Sequence, residues 1–428
     1  MVVSITDEVM LMVFEQLVRA DGVDAAWPDM MYDQHAARAP FTVAAVCWRW
    51  RRLAISRSTL WTYFAFSGAA EMDTRDLRRL ELLRLRVGRA PIDVTFGWDN
   101  PLQAEEVIGD VSCLIFQAIS EMHSQWKTVA LHVMGGVKRG WKVEEVFKCS
   151  QWPLLESLSF IGDIPCIELP AAPLLSRMWL RCGPNTADEP LIVGACPALT
   201  TLGIQCEYAP SLQRLGPALG LQLVELVLMD NPRYFIDKLG PASTLGVFTV
   251  LQCLNLYDAR WLHHIEAPAL KKLVLTTRYI DYVDPEALRR LHHVQELKLL
   301  GYFMTSELAG LKDLSHVKTL AFDTTRYLTK AFEYGIGVRR INSMAVRDLV
   351  TIEPPIWPHL ERLHFSAALF PGRGSNETAQ DVVDFVAMRN ARAAGSDEPV
   401  VARIIEVVAN HAGAPEWLGQ KLREITTR

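Results

Sequence analysis

The sequence contains no uncharged apolar run of the roughly 18 or more residues that a membrane-spanning helix needs. Its first residues also lack the basic and apolar segments of a secretory signal. The formal net charge is only -5, from 44 basic and 49 acidic residues, which argues against binding to nucleic acid through phosphate contacts. These absences favour a cytoplasmic or nuclear protein, or one found in both compartments, whose partners are neither membranes nor nucleic acids.

Known motifs of catalysis and metal binding are also missing. The eight cysteines are spread along the chain without a CxxC pair, which argues against a zinc knuckle or a disulfide framework and favours mostly buried thiols. No glycine-rich stretch has the strand–loop–helix context that holds phosphates, and no GxSxG sequence occurs. We therefore expect a protein that is not an enzyme and that needs neither a metal ion nor a cofactor.

What the sequence does have is a large apolar content and an internal repeat. Hydrophobic residues make up 50% of the 428 residues, so the chain can bury a large core over two or three domains. A phrase of three apolar anchors recurs, in which the second anchor follows the first by three residues and the third follows the second by two. The instances are Trp126-Val129-Leu131, Leu155-Leu158-Phe160, Leu175-Met178-Leu180, Leu199-Leu202-Ile204, Leu223-Leu226-Leu228, Leu251-Leu254-Leu256, Leu270-Leu273-Leu275, Val294-Leu297-Leu299, Val317-Leu320-Phe322, Ile341-Met344-Val346 and Leu360-Leu363-Phe365.

The period of these phrases identifies the kind of repeat. They follow one another at an average spacing of about 23 residues, inside the roughly 20–29 residue period of leucine-rich repeats. The last two anchors suit a short strand with one buried face, and parallel stacking of such strands buries a continuous core. The Asn or Cys usual after the last anchor occurs once, as Asn231, so the repeats are degenerate. The sequence therefore predicts an α/β solenoid with a parallel concave sheet, with an ordinary α/β sheet as the alternative.

The residues beside the strand anchors are candidates for binding. They are expected to point away from the core, because successive side chains of a strand alternate between its two faces. Basic residues outnumber acidic ones among these positions, which favours an acidic or phosphorylated substrate segment. The candidate substrate-binding residues are Arg177, Trp179, Arg181, Tyr257, Lys298, Arg347 and His364. The alternative for Trp179 is that its ring packs beneath a neighbouring loop while the arginines are only solvated.

The segments on either side of the repeats follow other patterns. Residues 74–89 have apolar residues that recur at helical spacing, together with several arginines. This pattern predicts an amphipathic helix with a solvated basic face. Ile92-Val94-Phe96 then alternates as a first capping strand. After the repeats, residues 378–394 and 415–425 are predicted to be helical, and residues 400–408 extended or helical. A capping region is therefore expected at each end of the array.

Residues 5–61 predict two helices on either side of a polar stretch at 21–40. In the first helix, Val9, Met12, Val13 and Leu17 share one face. Fewer than about 60 residues make a marginal core on their own, so part of this apolar surface is expected to need a partner.

The segment VCWRWRRLAISRSTLW at 46–61 resembles the end of the F-box, V-C-x-x-W-x-x-L-A followed closely by L-W. The residues in register are Val46, Cys47, Trp50, Leu53 and Ala54. The opening at residues 5–9 keeps the apolar residue, the glutamate and the aliphatic residue of the family, but not its proline. With repeats behind it, the chain resembles fungal-type F-box/leucine-rich-repeat substrate receptors.

This resemblance implies a helical F-box that binds a Skp-type adaptor, and through it a cullin-RING ubiquitin ligase, while the repeats bind a protein substrate. The implied adaptor-binding residues are Ile5, Val9, Val46, Trp50, Leu53, Leu60 and Trp61. The implied domains are an F-box at 1–65, a linker helix and N-terminal cap strand at 66–98, degenerate repeats at 99–370 and a C-terminal helical and strand cap at 371–428.

Three alternatives to this reading stay open. The chain could be a repeat scaffold for protein interactions with no ligase role. It could be a small-molecule-gated receptor of the same architecture. The N-terminal module could also be a plain helical cap on the repeats that binds no partner.

Overall fold

The chain is mixed α/β and is built around parallel strands. A computed structural model describes residues 6–18, 34–67, 73–98, 110–133, 147, 149, 151–162, 169–182, 196–206, 221–229, 246–276, 285–301, 305–323, 356–365, 375–395, 401–409 and 414–427. The chain divides into two compact units, Met1–Leu215 and Gly216–Arg428. None of the helices among the described residues combines the length and the apolar character that crossing a bilayer requires.

The first unit begins with a helical module. Its elements are α1 (Asp7–Val18), α2 (Gln34–Val46), α3 (Trp48–Ser56) and a 3-10 turn at Ser58–Trp61. The structure differs here from the predicted pair of helices, because α2 already begins at Gln34, inside the stretch expected to be a loop. The second predicted helix is also divided at Cys47, whose backbone is extended and whose Sγ accepts a hydrogen bond from the Trp50 amide at 3.5 Å.

Six parallel strands of the first unit follow in sequence order. They are β1 (Tyr63–Ser67), β2 (Ile92–Trp98), β3 (Trp126–Val133), β4 (Ser157–Gly162), β5 (Arg177–Cys182) and β6 (Thr201–Cys206). The sheet thus begins one strand before the predicted capping strand. Strand β1 is buried on both faces. Tyr63 and Ala65 cluster with Ala36 and Ala37 of α2, and Phe64 and Phe66 on the other face are also buried, so β1 lacks the alternation that marks a half-exposed strand.

Helix α4 (Thr74–Val87) joins the helical module to the sheet, and α5 (Asp110–Ser120) precedes β3. Asp73 and Asp76 form a capping box at the start of α4, and Gly88 ends it with a positive φ of 60°. The predicted apolar stripe of α4 is buried at Leu80, Leu83 and Val87. Its arginines are not all solvated, since Arg79 lies over the Phe66 ring and Arg86 over the Trp61 ring.

The second unit has seven parallel strands, again in sequence order, and a separate pair of short parallel strands at Gly246–Val247 and Ile265–Glu266. Its elements are β7 (Glu225–Leu228), β8 (Gly246–Val247), β9 (Cys253–Leu256), β10 (Ile265–Glu266), β11 (Lys272–Thr276), α6 (Pro285–Arg289), β12 (Glu296–Leu300), α7 (Thr305–Gly310), β13 (Thr319–Asp323), β14 (Arg362–Phe365), α8 (Ser375–Ala394), β15 (Glu406–Val408) and α9 (Glu416–Thr427). Short 3-10 turns lie at Ala259–His264 and Leu311–Asp313. The segment predicted as extended or helical at 400–408 therefore ends in a strand, which pairs with β14.

The repeated phrase locates the strands. In every described phrase the last two anchors lie within a strand and are buried, and anchors pair with anchors on the neighbouring strands, as Leu158, Met178 and Leu202 do. The phrase at Ile341-Met344-Val346 lies outside the described residues. Strands β13 and β14 pair directly with each other.

A buried arginine of α8 ties this helix to the loops before β14 and β15. Arg389 of α8 donates hydrogen bonds to the carbonyl oxygens of Ile356, Trp357, Pro358 and Ala402 at 2.6–3.4 Å. Burial lowers the pKa of Arg389 to about 10, which leaves the group charged at neutral pH. The Trp357 carbonyl belongs to a residue with a positive φ of 51°, a conformation rare for a side chain of this size.

Replacing Arg389 by Met is expected to lower the free energy of unfolding by at least about 2 kcal/mol, because several buried carbonyl oxygens lose their donor together. Arg392→Met, on an exposed position of the same helix, should stay within about 0.5 kcal/mol of the wild type. Chemical denaturation measures both variants. Equal losses in the two variants would show that the Arg389 network does not stabilise this unit.

Candidate functional site

The helical module exposes a continuous apolar stripe on α1. Val9, Met12, Val13 and Leu17 are each between 49% and 66% exposed, and we call these four residues the α1 apolar face. They recur at a spacing of three to four residues, so they line one side of the helix. A second stripe, next to it around the helix, carries Met10, Phe14 and Val18, which are buried. Helix α1 is therefore apolar on two sides, and only one of them packs within its own unit.

Charged pairs fix how α1 lies against α3. Arg49 donates to the Asp7 carboxylate at 2.6 Å, and Arg57 donates to Glu15 at 2.8 Å. Glu15 follows Asp7 along α1 by the same number of residues as Arg57, directly after α3, follows Arg49. The two helices therefore run in the same direction. The Phe14 ring also contacts Trp50, with centroids 4.9 Å apart. Two carboxylates of α1 are thus already ion-paired inside the module.

The residues implied for adaptor binding divide into exposed and buried groups. Val9 and Val46 are exposed, and Trp50 is partly buried against Phe14. Leu53, Leu60 and Trp61 are buried within their own unit, where the structure gives them a packing role. Ile5 lies outside the described residues.

Within the buried group, Trp61 makes both a side-chain hydrogen bond and ring contacts. Its Nε1 donates to the Ala54 carbonyl at 2.7 Å, and the Phe41 ring meets it edge-on with centroids 5.2 Å apart. The Arg86 guanidinium of α4 lies 4.1 Å from the ring centroid, and burial lowers the pKa of Arg86. Trp61 therefore connects the helical module to α4 of the same unit.

The sequence predicts that Met12, Val13 and Leu17 share a helix face but does not identify them as binding residues, and it does not single out Trp48, which is 70% exposed. The signal that could have found them is the excess of apolar residues in α1. A helix that packs against one core needs a single apolar stripe. Residues 9–18 supply two, so one stripe is left for a partner.

In the first unit, the predicted binding triplet lies on β5. Arg177 and Arg181 are partly exposed, but Trp179 between them is only 2% exposed. Its cross-strand neighbours are Ser159 on β4 and Gly203 on β6, both small, so the indole lies flat on the sheet over Gly203. This packing differs from the predicted presentation of the ring to a ligand, and leaves the two arginines as the accessible members.

A side chain at Gly203 is expected to destabilise the first unit, because a Cβ there would stand well inside van der Waals contact with the Trp179 ring. We expect Gly203→Ala to cost about 1–3 kcal/mol in the free energy of unfolding, the usual range for overpacking. Gly97→Ala on β2 is the matched control, because its Cβ would meet no atom of the described residues within 4 Å. In a Trp179→Ala background the cost of Gly203→Ala should largely vanish, and an unchanged cost would contradict the packing.

In the second unit, a cavity of about 470 Å³ opens over strand β13. Thr319 and Ala321 form its floor, since both are small and lie on the outward face of β13. The longer side chains of β12 and β14 form its walls, namely Glu296 and Lys298 on one side and Arg362 and His364 on the other. We call this cavity the β13 trough. It contains two residues predicted to bind substrate, Lys298 and His364.

The other predicted residues of the second unit are not part of the trough. Tyr257 follows β9 and is partly buried, with its backbone amide donating to the Leu228 carbonyl at 2.8 Å. Arg347 lies outside the described residues.

Ion pairs remove much of the basic excess that the sequence predicts for this face. Lys298 Nζ lies 2.8 Å from the Asp323 carboxylate, and Lys272 Nζ lies 3.9 Å from Glu296. Among the described residues Arg362 has no ion-pair partner, and His364 Nε2 is buried with no hydrogen-bond partner. One cation and one ring nitrogen of the residues that line the trough therefore have no partner among the described residues.

Three of the described thiols, those of Cys149, Cys196 and Cys253, are held in the protonated form by their surroundings. Burial raises the pKa of Cys149 and Cys196, and burial together with the Glu225 carboxylate raises the pKa of Cys253 to about 11. A protonated thiol is a poor nucleophile and a poor metal ligand. Burial itself is less general than the sequence predicts, since Cys47 is exposed and Cys113 is only partly buried. Within the described ranges, no group of three metal-ligating side chains could hold an ion.

Comparison of the chain with models of known protein families finds no match, and no curated protein matches it.

Proposed function

We propose that this chain is the substrate-recognition subunit of an SCF-type (Skp-cullin-F-box) ubiquitin ligase. The N-terminal module is the F-box that binds a Skp-type adaptor, and the strands that follow bind a protein substrate. The observation that carries the proposal is the α1 apolar face, which belongs to a module whose sequence resembles the F-box at residues 46–61.

The energetics of the α1 apolar face favour a partner. Burying one large apolar side chain contributes about 1.5–3 kcal/mol, so four exposed side chains on one helix represent a substantial unused driving force. Apolar side chains grouped on one surface mark interaction sites more often than single exposed ones do. Because Asp7 and Glu15 are already ion-paired with Arg49 and Arg57, the partner is expected to bind chiefly through apolar contact.

We also propose that the strands form a degenerate leucine-rich-repeat solenoid, whose outward residues recognise the substrate. Two observations support this. The anchors pair in register from strand to strand at the repeat period, and within each unit the strands that carry the anchors pair in sequence order. Stacked repeats of this kind bury a shared core and leave one residue in two of each strand facing outward.

The proposed role in ubiquitin transfer is to hold the substrate close to the ligase. A receptor that binds adaptor and substrate at once raises the effective concentration of substrate lysines near the charged enzyme. It needs no catalytic group of its own, so the receptor is not itself an enzyme and requires no cofactor.

Reconstitution tests the proposal. The full chain is mixed with a purified fungal Skp-type adaptor and a cullin–RING pair, and the mass of the assembly is measured in solution. We expect a single complex that contains one copy of each component. A chain that stays separate from the adaptor at micromolar concentration would favour the alternative, a protein-interaction scaffold with no ligase role.

A further inference from the structure

We propose that the β13 trough binds an oxyanion, a carboxylate or a phosphate, on an extended peptide segment, with Arg362 and His364 as its ligands. This inference deepens the proposed function, and the identification of the peptide as a substrate segment rests on that function. The binding site itself is argued from the trough alone.

The shape of the trough comes from side-chain size on three adjacent strands. Lys298, Ala321 and His364 are cross-strand neighbours in one row, and Glu296, Thr319 and Arg362 in the next. In both rows a small residue stands between two long ones, so a groove runs along β13 between two walls. Its volume of about 470 Å³ falls within the roughly 300–1,000 Å³ of small-ligand sites.

The charges of the trough favour an anion. Lys272 with Glu296 and Lys298 with Asp323 are two opposite-charge pairs, which leaves the Arg362 guanidinium as the uncompensated charge among the lining residues. Arg362 is exposed and projects from the same face of β14 as His364, two residues away. Both side chains can therefore reach one group bound over Ala321.

The donors of the trough match an oxyanion in geometry as well as in charge. A guanidinium presents paired N–H groups in a planar fork that fits the oxygens of a carboxylate or a phosphate. The buried His364 Nε2 lacks a partner among the described residues, and an anion oxygen would supply one.

Histidine NMR on the intact chain tests this site. The full chain is labelled with 13C-histidine, and the His364 signal is assigned among the 11 histidines with the His364→Gln variant. Three capped peptides are titrated, each with four alanines around a central phosphoserine, glutamate or glutamine. We expect the His364 signal to shift saturably with at least one anionic peptide and not with the glutamine peptide. The anion that binds more tightly identifies the source of the oxyanion.

The variant Arg362→Gln should weaken binding of the anionic peptide by about tenfold or more, since it removes a charge-assisted hydrogen bond. Arg423→Gln, an exposed arginine of α9, is the matched control and should leave binding unchanged. The proposal is overturned if neither anion shifts the signal, or if Arg362→Gln binds as the wild type does. Adaptor binding is measured on the same samples, so a failure of the trough and a failure of the ligase role are told apart.

Discussion

Replacing Met12 and Leu17 by Ala is expected to weaken binding of a Skp-type adaptor by about a hundredfold or more, because each lost apolar contact is worth about 1.5–3 kcal/mol when fully buried. Both side chains are exposed in the free chain, so the substitutions should leave its fold intact. Calorimetric titration of the adaptor into the full chain measures the change in Kd.

The matched control replaces two exposed apolar residues elsewhere, Leu85 on α4 and Met388 on α8, by Ala. This variant should bind the adaptor as the wild type does. If both double variants bind with unchanged affinity, the α1 apolar face is not the adaptor site. A Phe14→Ala variant opens a cavity behind α1 but keeps the α1 apolar face. Its adaptor affinity therefore shows how much binding is lost when only the packing of the helix is weakened.

The second large effect is expected at Trp61. Trp61→Ala should lower the free energy of unfolding of the first unit by about 3–5 kcal/mol, the usual cost of removing a buried aromatic ring. The cause is a cavity between the helical module and α4, where the Ala54 carbonyl also loses its donor and Arg86 loses the ring beneath it. Denaturant titration measures the loss, and circular dichroism shows whether helix content falls.

Trp48→Ala is the matched tryptophan control, because Trp48 is exposed and contacts mainly the Arg52 guanidinium, 5.2 Å from its ring. Its stability should change by no more than about 0.5–1 kcal/mol, the value of an exposed cation–π contact. The two variants thus separate a core role from a surface role. A stable Trp61→Ala chain would contradict the packing around that ring.

The sequence predicts the strands well because the repeat fixes both their position and their face. Each described phrase coincides with a strand, since its last two anchors must point to one side while the residues between them point to the other. Strand β1 has no repeat phrase, so the same signal is missing there. Its residues are buried on both faces, Tyr63 and Ala65 against α2 and Phe64 and Phe66 on the other side, so its sequence shows no alternation of apolar and polar residues.

The candidate sites were less predictable, because they depend on residues that are adjacent in space but distant in the sequence. Trp179 is buried because its neighbours on the adjacent strands, Ser159 and Gly203, are small. Lys298 is ion-paired because Asp323 lies on the strand next to it. Each of these neighbours is about 20–25 residues away in the sequence, which is one repeat period. Cross-strand register alone brings these residues together. In α1 both faces are apolar, so the sequence could not tell which one packs inward.

Hydrogen–deuterium exchange on the full chain, with and without a Skp-type adaptor, tests most directly whether the N-terminal module is the adaptor-binding F-box. The account predicts that the adaptor slows exchange of backbone amides in Asp7–Val18 and around Trp48, and leaves the strands of the second unit unchanged. An adaptor that leaves exchange in these helices unaltered, or that protects only the β-strands, would contradict it.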